Sequence, residues 1–195
     1  MLPSFDEITR ALFGALLLAR GDKRGLDFFE RTPEGALRSF YAAVIMLPIY
    51  AVVEAIQLAG QDFTAGGPRL ITVELLTYVI GWTAFPVAMI PLAKLIDRPE
   101  RYFDFLPVYN WVSLVQMGIF FPVLLLTMSG VLPEGIAGGL GWIVTVALIL
   151  YTWIALKSAL DIGGGTAAGL VVVDLVLGLM LSGATDAMLG VSRIG

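Results

Sequence analysis

LGWIVTVALILYTWIALKSAL, the stretch from Leu140 to Leu160, holds a single charged residue, Lys157, among apolar and small neutral ones. About 20 such residues span a ~30 Å hydrocarbon core as one helix. Four further runs read the same way: Leu37–Leu58, Leu70–Ile96, Phe105–Met128 and Ala167–Met188. The pattern predicts an all-α membrane protein. It comprises a five-helix transmembrane bundle over residues 36–190, preceded by a cytoplasmic N-terminal segment over residues 1–35 with an amphipathic interfacial helix.

Composition agrees. Of 195 residues, 58% are hydrophobic and 14% charged, and the mean hydropathy is +0.88. A soluble domain carries about 25% charged residues. Once five spans are removed, nothing of even ~50 residues remains for a separate soluble domain. The chain has no Cys and no His. That excludes disulfides, thiolate metal and iron–sulfur sites, the common haem ligand and Ser-His-Asp chemistry. Proton chemistry must use Asp, Glu, Lys or Tyr. Gly163-Gly164-Gly165-Thr166 lacks the Lys-Ser/Thr ending of a phosphate loop. The expectation is a non-enzymatic protein with no cofactor, no metal and no nucleic-acid partner.

The distribution of basic residues sets an expected orientation. Arg10, Arg20, Lys23, Arg24, Arg31 and Arg38 precede or enter the first span; Lys94, Arg98, Arg101 and Lys157 fall on the same side by alternation. Only Arg69 and Arg193 fall opposite, ten against two. The positive-inside rule then places the N-terminus in the cytoplasm and the C-terminus outside, in a bacterial-type inner membrane. The acidic start, with Asp6 and Glu7, does not read as a secretory signal.

Ser4-Phe5-Asp6-Glu7 is a capping box that opens a helix running to about Arg20. Phe5, Ile8, Leu12, Ala15, Leu16 and Ala19 fall on one stripe. Such a helix either lies on the membrane interface or packs on the bundle's inner end. Residues 21–25, followed by Leu26, Phe28 and Phe29, read as a solvated loop. Thr32-Pro33-Glu34 starts the first span with an N-cap, a proline at the first helical position and an acidic first turn. Arg38 is expected to snorkel to headgroups, and Gly60–Pro68 to turn between spans one and two.

Pro48, Pro86, Pro91, Pro107 and Pro122 fall within the first three spans, where kinks can open a cavity. Gly165-x-x-x-Gly169 and Gly178-x-x-x-Ser182 are expected to pack helices closely inside the bundle. Tyr102, Tyr109, Trp111, Trp82, Trp142, Tyr151 and Trp153 include interface anchors.

Charged residues inside spans are functional candidates by default. At ~1.5 Å per residue, Glu54 lies roughly 9 Å and Glu74 roughly 12 Å to the outer side of their span centres. They share a level on antiparallel neighbours. Either they point to the outer headgroups, solvated or paired with Arg69, or they face each other as a cation or proton site. Asp174 lies about 6 Å inward of its centre, at a level where Lys157 is expected to pair with it. Asn110 and Gln116 read as interhelical hydrogen-bond glue.

Glu34-Gly35-Ala36-Leu37-Arg38-Ser39-Phe40 entering the first span, with Tyr109-Asn110-Trp111 in the third, resembles a group of small uncharacterised bacterial inner-membrane proteins. The cytoplasmic segment followed by five closely spaced helices more remotely resembles the Yip (Rab-GTPase-interacting) membrane-protein superfamily. The resemblance implies a membrane organiser or scaffold and transfers no site residue. The expected function is a Yip-like scaffold or partner-binding subunit that presents its N-terminal segment and the Lys94–Asp104 loop. The alternative is a small transporter or channel subunit using Glu54, Glu74 and Asp174. Membrane lipids are the expected surroundings, with another membrane or cytoplasmic protein as the scaffold's partner; the oligomeric state is left open.

Overall fold

The structure, a computed structural model, describes residues 2–58 and 65–190. Helix α1 (Phe5–Ala19) leads through a 3-10 turn (Lys23–Phe28) to a short α2 (Pro33–Ser39) and then to α3 (Tyr41–Leu58). Four long helices follow: α4 (Gly67–Leu95), α5 (Tyr102–Met128), α6 (Glu134–Leu160) and α7 (Gly164–Leu189). Five helical segments are long and apolar enough to cross a membrane; the first joins α2 to α3 over Pro33–Ile56. The outer faces carry stripes of exposed apolar side chains, such as Ile71, Leu75 and Val79 on α4 and Ile143, Val146 and Leu150 on α6. A belt of that kind is stable against acyl chains and not against water.

The spans run a few residues beyond the apolar windows, because their first turns are built from Gly, Pro and Glu rather than from apolar residues. Both predicted N-caps form: Ser4 Oγ accepts from the Glu7 N–H and Thr32 Oγ1 from the Gly35 N–H, each at 3.1 Å. The expected Gly60–Pro68 turn lies largely outside the described residues, as does Arg193; Gly66 caps the start of α4.

Sequence neighbours are not always the packing partners. α3 lies along α5, α4 along α7, and α6 along both α5 and α7. The end of the bundle where α1 docks is called proximal here, the other end distal.

The N-terminal segment is part of the proximal core. α1 packs on α5 and α6 with Ala11, Gly14, Ala15 and Leu18 buried. That face is rotated from the expected stripe: Phe5 and Leu16 are exposed, while Ile8 and Leu12 are partly buried. The rotation follows from small residues. Gly14 lies against Gly25, and a Cβ on Gly14 would come within 2.6 Å of the Gly25 carbonyl. Two glycines let the 3-10 turn lie flat on α1, so residues 23–28 are folded rather than a solvated loop. Phe28 meets Phe13 edge-on at 5.0 Å, and Phe29 is buried. Asp22 caps the turn; hydrogen bonds from the Arg24 side chain and backbone hold its carboxyl below the usual carboxylate range.

Polar contacts pin this segment down. Tyr151 on α6 donates to the Ala15 carbonyl at 2.6 Å, so it is an internal tie rather than an interface anchor. Arg38 pairs with both oxygens of Glu7 at 3.0 Å, both side chains mostly buried, and does not reach for headgroups. Glu7 thereby leaves the reciprocal half of its capping box. Asn110, fully buried, donates to Ser39 Oγ at 2.8 Å, joining α5 to the end of α2 as interhelical glue. Its Oδ1 is buried without a partner. Beneath lies an aromatic cluster in which Phe85 and Phe105 meet at 5.8 Å and Trp111 is buried rather than interfacial. Trp142, at 75% exposure, does suit an anchor position.

Candidate functional site

Four helices separate toward the distal end around a cavity of about 520 Å³. Each contributes one face at helical spacing. From α3 come Met46, Tyr50, Glu54 and Leu58, one residue per turn. From α4 come Glu74, Thr77, Tyr78, Gly81 and Trp82; from α5, Tyr109, Ser113, Gln116, Met117 and Phe120. From α7 come Gly178, Leu181, Ser182, Thr185, Asp186 and Leu189, and α6 adds Leu148. Leu58 and Leu189 stand at the distal ends of their helices, while Met46 and Tyr109 form the floor.

Glu54 and Glu74 face this shared space. Tyr50 donates to Glu74 Oε2 at 3.0 Å and also lies against the Glu54 carboxylate, so one phenol bridges two acids from neighbouring helices. Glu54 also feels the charge of Asp186 on α7. Neither glutamate pairs with Arg69; the ion pairs among the described residues are Arg24–Asp22, Arg31–Asp27, Arg38–Glu7 and Arg101–Asp104. Among the described residues, no Lys or Arg lines the cavity. Among the described residues, no group of three or more His, Cys, Asp or Glu side chains could hold a metal ion.

Aromatic faces border the acids. The Tyr50 and Tyr78 rings lie 4.6 Å apart, and Tyr78 meets Trp82 at 6.3 Å. Tyr78 also donates to the Ala43 carbonyl, tying α4 to α3 just below the cavity. Thr77 and Thr185 join α4 to α7 across 2.6 Å, with Thr185 donating onward to Leu181 O at 3.0 Å. Gln116 donates to Leu148 O and Thr152 Oγ1, both at 2.9 Å, and so acts as glue to α6 while lining the cavity.

The expected Asp174–Lys157 ion pair does not form. Asp174 accepts from the Tyr109 hydroxyl at 2.9 Å, and Lys157 lies over the Trp153 ring at 4.8 Å. Depth explains this. Asp174 is ten residues into α7, about 15 Å from its start, whereas Lys157 is three residues from the end of α6, about 5 Å. The two sit at different levels. Trp153 Nε1 donates to Gly164 O at 2.8 Å, so this tryptophan holds the α6–α7 turn.

Small residues also part from expectation. Gly165 and Gly169 have no neighbour within 4 Å of an added Cβ and face outward, away from the bundle. Gly178 and Ser182 line the cavity, where a missing side chain gives width. None of the five internal prolines stands in the cavity wall.

Asp186, Tyr50, Tyr78, Tyr109 and the Thr77–Thr185 bridge were not expected at this site. The signal for Tyr50 was its spacing, one turn before Glu54; Asp186 sits near the end of its span, where carboxylates read as solvated. Comparison with known proteins adds nothing to the geometry: no family model, no curated protein and no solved structure matches the chain significantly.

Proposed function

We propose that this chain is a non-enzymatic membrane carrier, or a carrier's subunit, that takes a small organic cation into the distal cavity. The carrying observation is that Glu54 and Glu74 line one ~520 Å³ space beside Tyr50, Tyr78 and Trp82, with no basic residue in its wall among the described residues. Carboxylates inside a membrane are costly unless paired. A ligand ammonium offsets that cost and gains further from aromatic faces, by about 0.5–2 kcal/mol per ring. The volume fits a small ligand, since such pockets fall between about 300 and 1,000 Å³. With the proximal end in the cytoplasm of a bacterial-type inner membrane, as the basic residues argue, the cavity lies in the outer half of the bundle. A packed proximal core separates it from the cytoplasmic side.

A Yip-like scaffold presenting its N-terminal segment draws less support, because that segment is folded into the proximal core. The Lys94–Asp104 loop remains a surface for a partner under either reading.

Calorimetry in lipid nanodiscs with tetraethylammonium as probe tests the proposal. Saturable binding is expected, weakened about tenfold (1.4 kcal/mol) or more by Glu54→Gln or Glu74→Gln. Binding that is absent, or that survives the double substitution unchanged, overturns it.

A further inference from the structure

Unlike Glu54, Glu74 and Asp186, Asp174 does not line the cavity, yet a single side chain separates it from that space. Tyr109 borders the cavity and donates to Asp174 Oδ1 at 2.9 Å. The phenol ring is held between Phe85 at 5.1 Å and Phe105 at 5.5 Å, so its hydroxyl has a fixed direction. Beneath it Phe85, Met89 and Phe105 close the bundle.

Among the described residues, the surroundings of Asp174 offer no cation. α5 contributes Tyr109 alone as a titratable neighbour. The lysine of α6, Lys157, is turned onto Trp153 about 10 Å shallower. The carboxylate of α4, Glu74, is held by Tyr50 in the distal cavity. Among the described residues, no Lys or Arg lines the cavity beside Tyr109. Ionisable residues at this depth are costly and mark ion pathways and proton relays.

We propose that Tyr109 and Asp174 form a proton-exchange site at the cavity floor, with the Tyr109 hydroxyl as the passage between cavity water and the carboxyl. In the loading step the phenolic proton passes to Asp174 Oδ1 while a water-borne proton from the cavity bonds to the Tyr109 oxygen. The tyrosine ends neutral, the carboxylate has gained one proton, and the reverse step returns it to the cavity. The site stands on this pair's geometry and needs no bound solute. In a carrier, it supplies the charge change to which solute movement is coupled.

Difference infrared spectroscopy of the full chain in nanodiscs, between acid and alkaline buffers, reads the carboxylic C=O stretch without any ligand. A titrating band is expected that Asp174→Asn abolishes and Glu54→Gln/Glu74→Gln retains. Tyr109→Phe keeps the ring and removes only the hydroxyl. It should move the Asp174 band to higher frequency, because the protonated carboxyl loses its hydrogen bond to the phenol oxygen, and slow its exchange in D2O. If Asp174→Asn fails to fold, the Tyr109→Phe shift decides alone. Overturning results are no titrating band, a band unchanged in Asp174→Asn, or a band whose frequency and exchange ignore Tyr109→Phe. The tetraethylammonium measurement is separate, so failure of either reading leaves the other standing.

Discussion

Helix α5 buries eight residues between Phe105 and Leu114, and none of those from Val115 to Met128. α6 repeats the contrast in reverse, with every buried residue at or after Tyr151. One helix therefore has a packed proximal half and an open distal half of similar apolarity. In water that difference would be unstable, since apolar surface would close on itself. In lipid the acyl chains are as apolar as leucine, so burial follows small residues and hydrogen bonds instead. The proximal half has both: Gly14 against Gly25, Tyr151 on Ala15, Asn110 on Ser39. The distal half turns its polar groups toward a shared space and leaves them around a cavity.

The widest separation between the halves should appear in thiol labelling, which the absence of native cysteine makes clean. Ser113→Cys and Ser182→Cys stand in the cavity wall, while Ser39→Cys sits at 0% exposure in the proximal core. A hydrophilic maleimide should modify the first two at least about 100-fold faster, the factor set by a local opening of ~3 kcal/mol. Equal rates in a folded sample would break the comparison. Protection at Ser182→Cys alone would narrow the cavity to its α5 side.

Glycine substitutions give the next largest contrast. Gly14→Ala drives a methyl toward the Gly25 carbonyl and Phe28 Cβ, 2.9 Å away, and overpacking of that kind costs about 1–3 kcal/mol. Gly178→Ala and Gly118→Ala meet nothing within 4 Å and should gain up to about 1 kcal/mol of helix propensity. Thermal unfolding in mild detergent, followed by circular dichroism, gives the sign of each. A neutral Gly14→Ala would show that the N-terminal segment is not held against the bundle in solution.

Much of this was legible in the chain, for identifiable reasons. Span number follows from apolar length, and the Ser4 and Thr32 caps from local chemistry that needs no tertiary context. Asn110 and Gln116 were readable as glue because a buried amide must find partners wherever its helix turns. Helix rotation was not readable: periodicity marks an apolar face, and in a membrane helix every face is apolar. Hence the outward Gly165-x-x-x-Gly169; the stripe on α1 shifted for a tertiary reason, Gly14 against Gly25, and the Lys157–Asp174 pair was missed through depth. Tyr109 and Tyr151 were read among the anchors because sequence gives their depth and not their direction, yet Tyr109 points inward to Asp174 and Tyr151 to the Ala15 carbonyl.

The smallest predicted effect concerns the turns at each end. Left-handed backbone occurs at Gly130 and Gly190 distally, and at Asp97 (φ 55°) and Asp161 (φ 52°) proximally. Glycine takes this conformation without steric cost, whereas a Cβ there costs roughly 1 kcal/mol, less for aspartate than for most residues. Asp161 also puts a negative charge where the α6 carbonyls end, and its own N–H already bonds Lys157 O. Asp161→Gly removes both penalties, so it should stabilise by about 0.5–1 kcal/mol, read as a higher unfolding temperature in the same detergent. Gly130→Ala should lose about as much at the distal end. If Asp161→Gly instead lowers the unfolding temperature, the carboxylate holds a contact at the proximal surface that outweighs its strained backbone, and the proximal end is tied by charge as well as by packing.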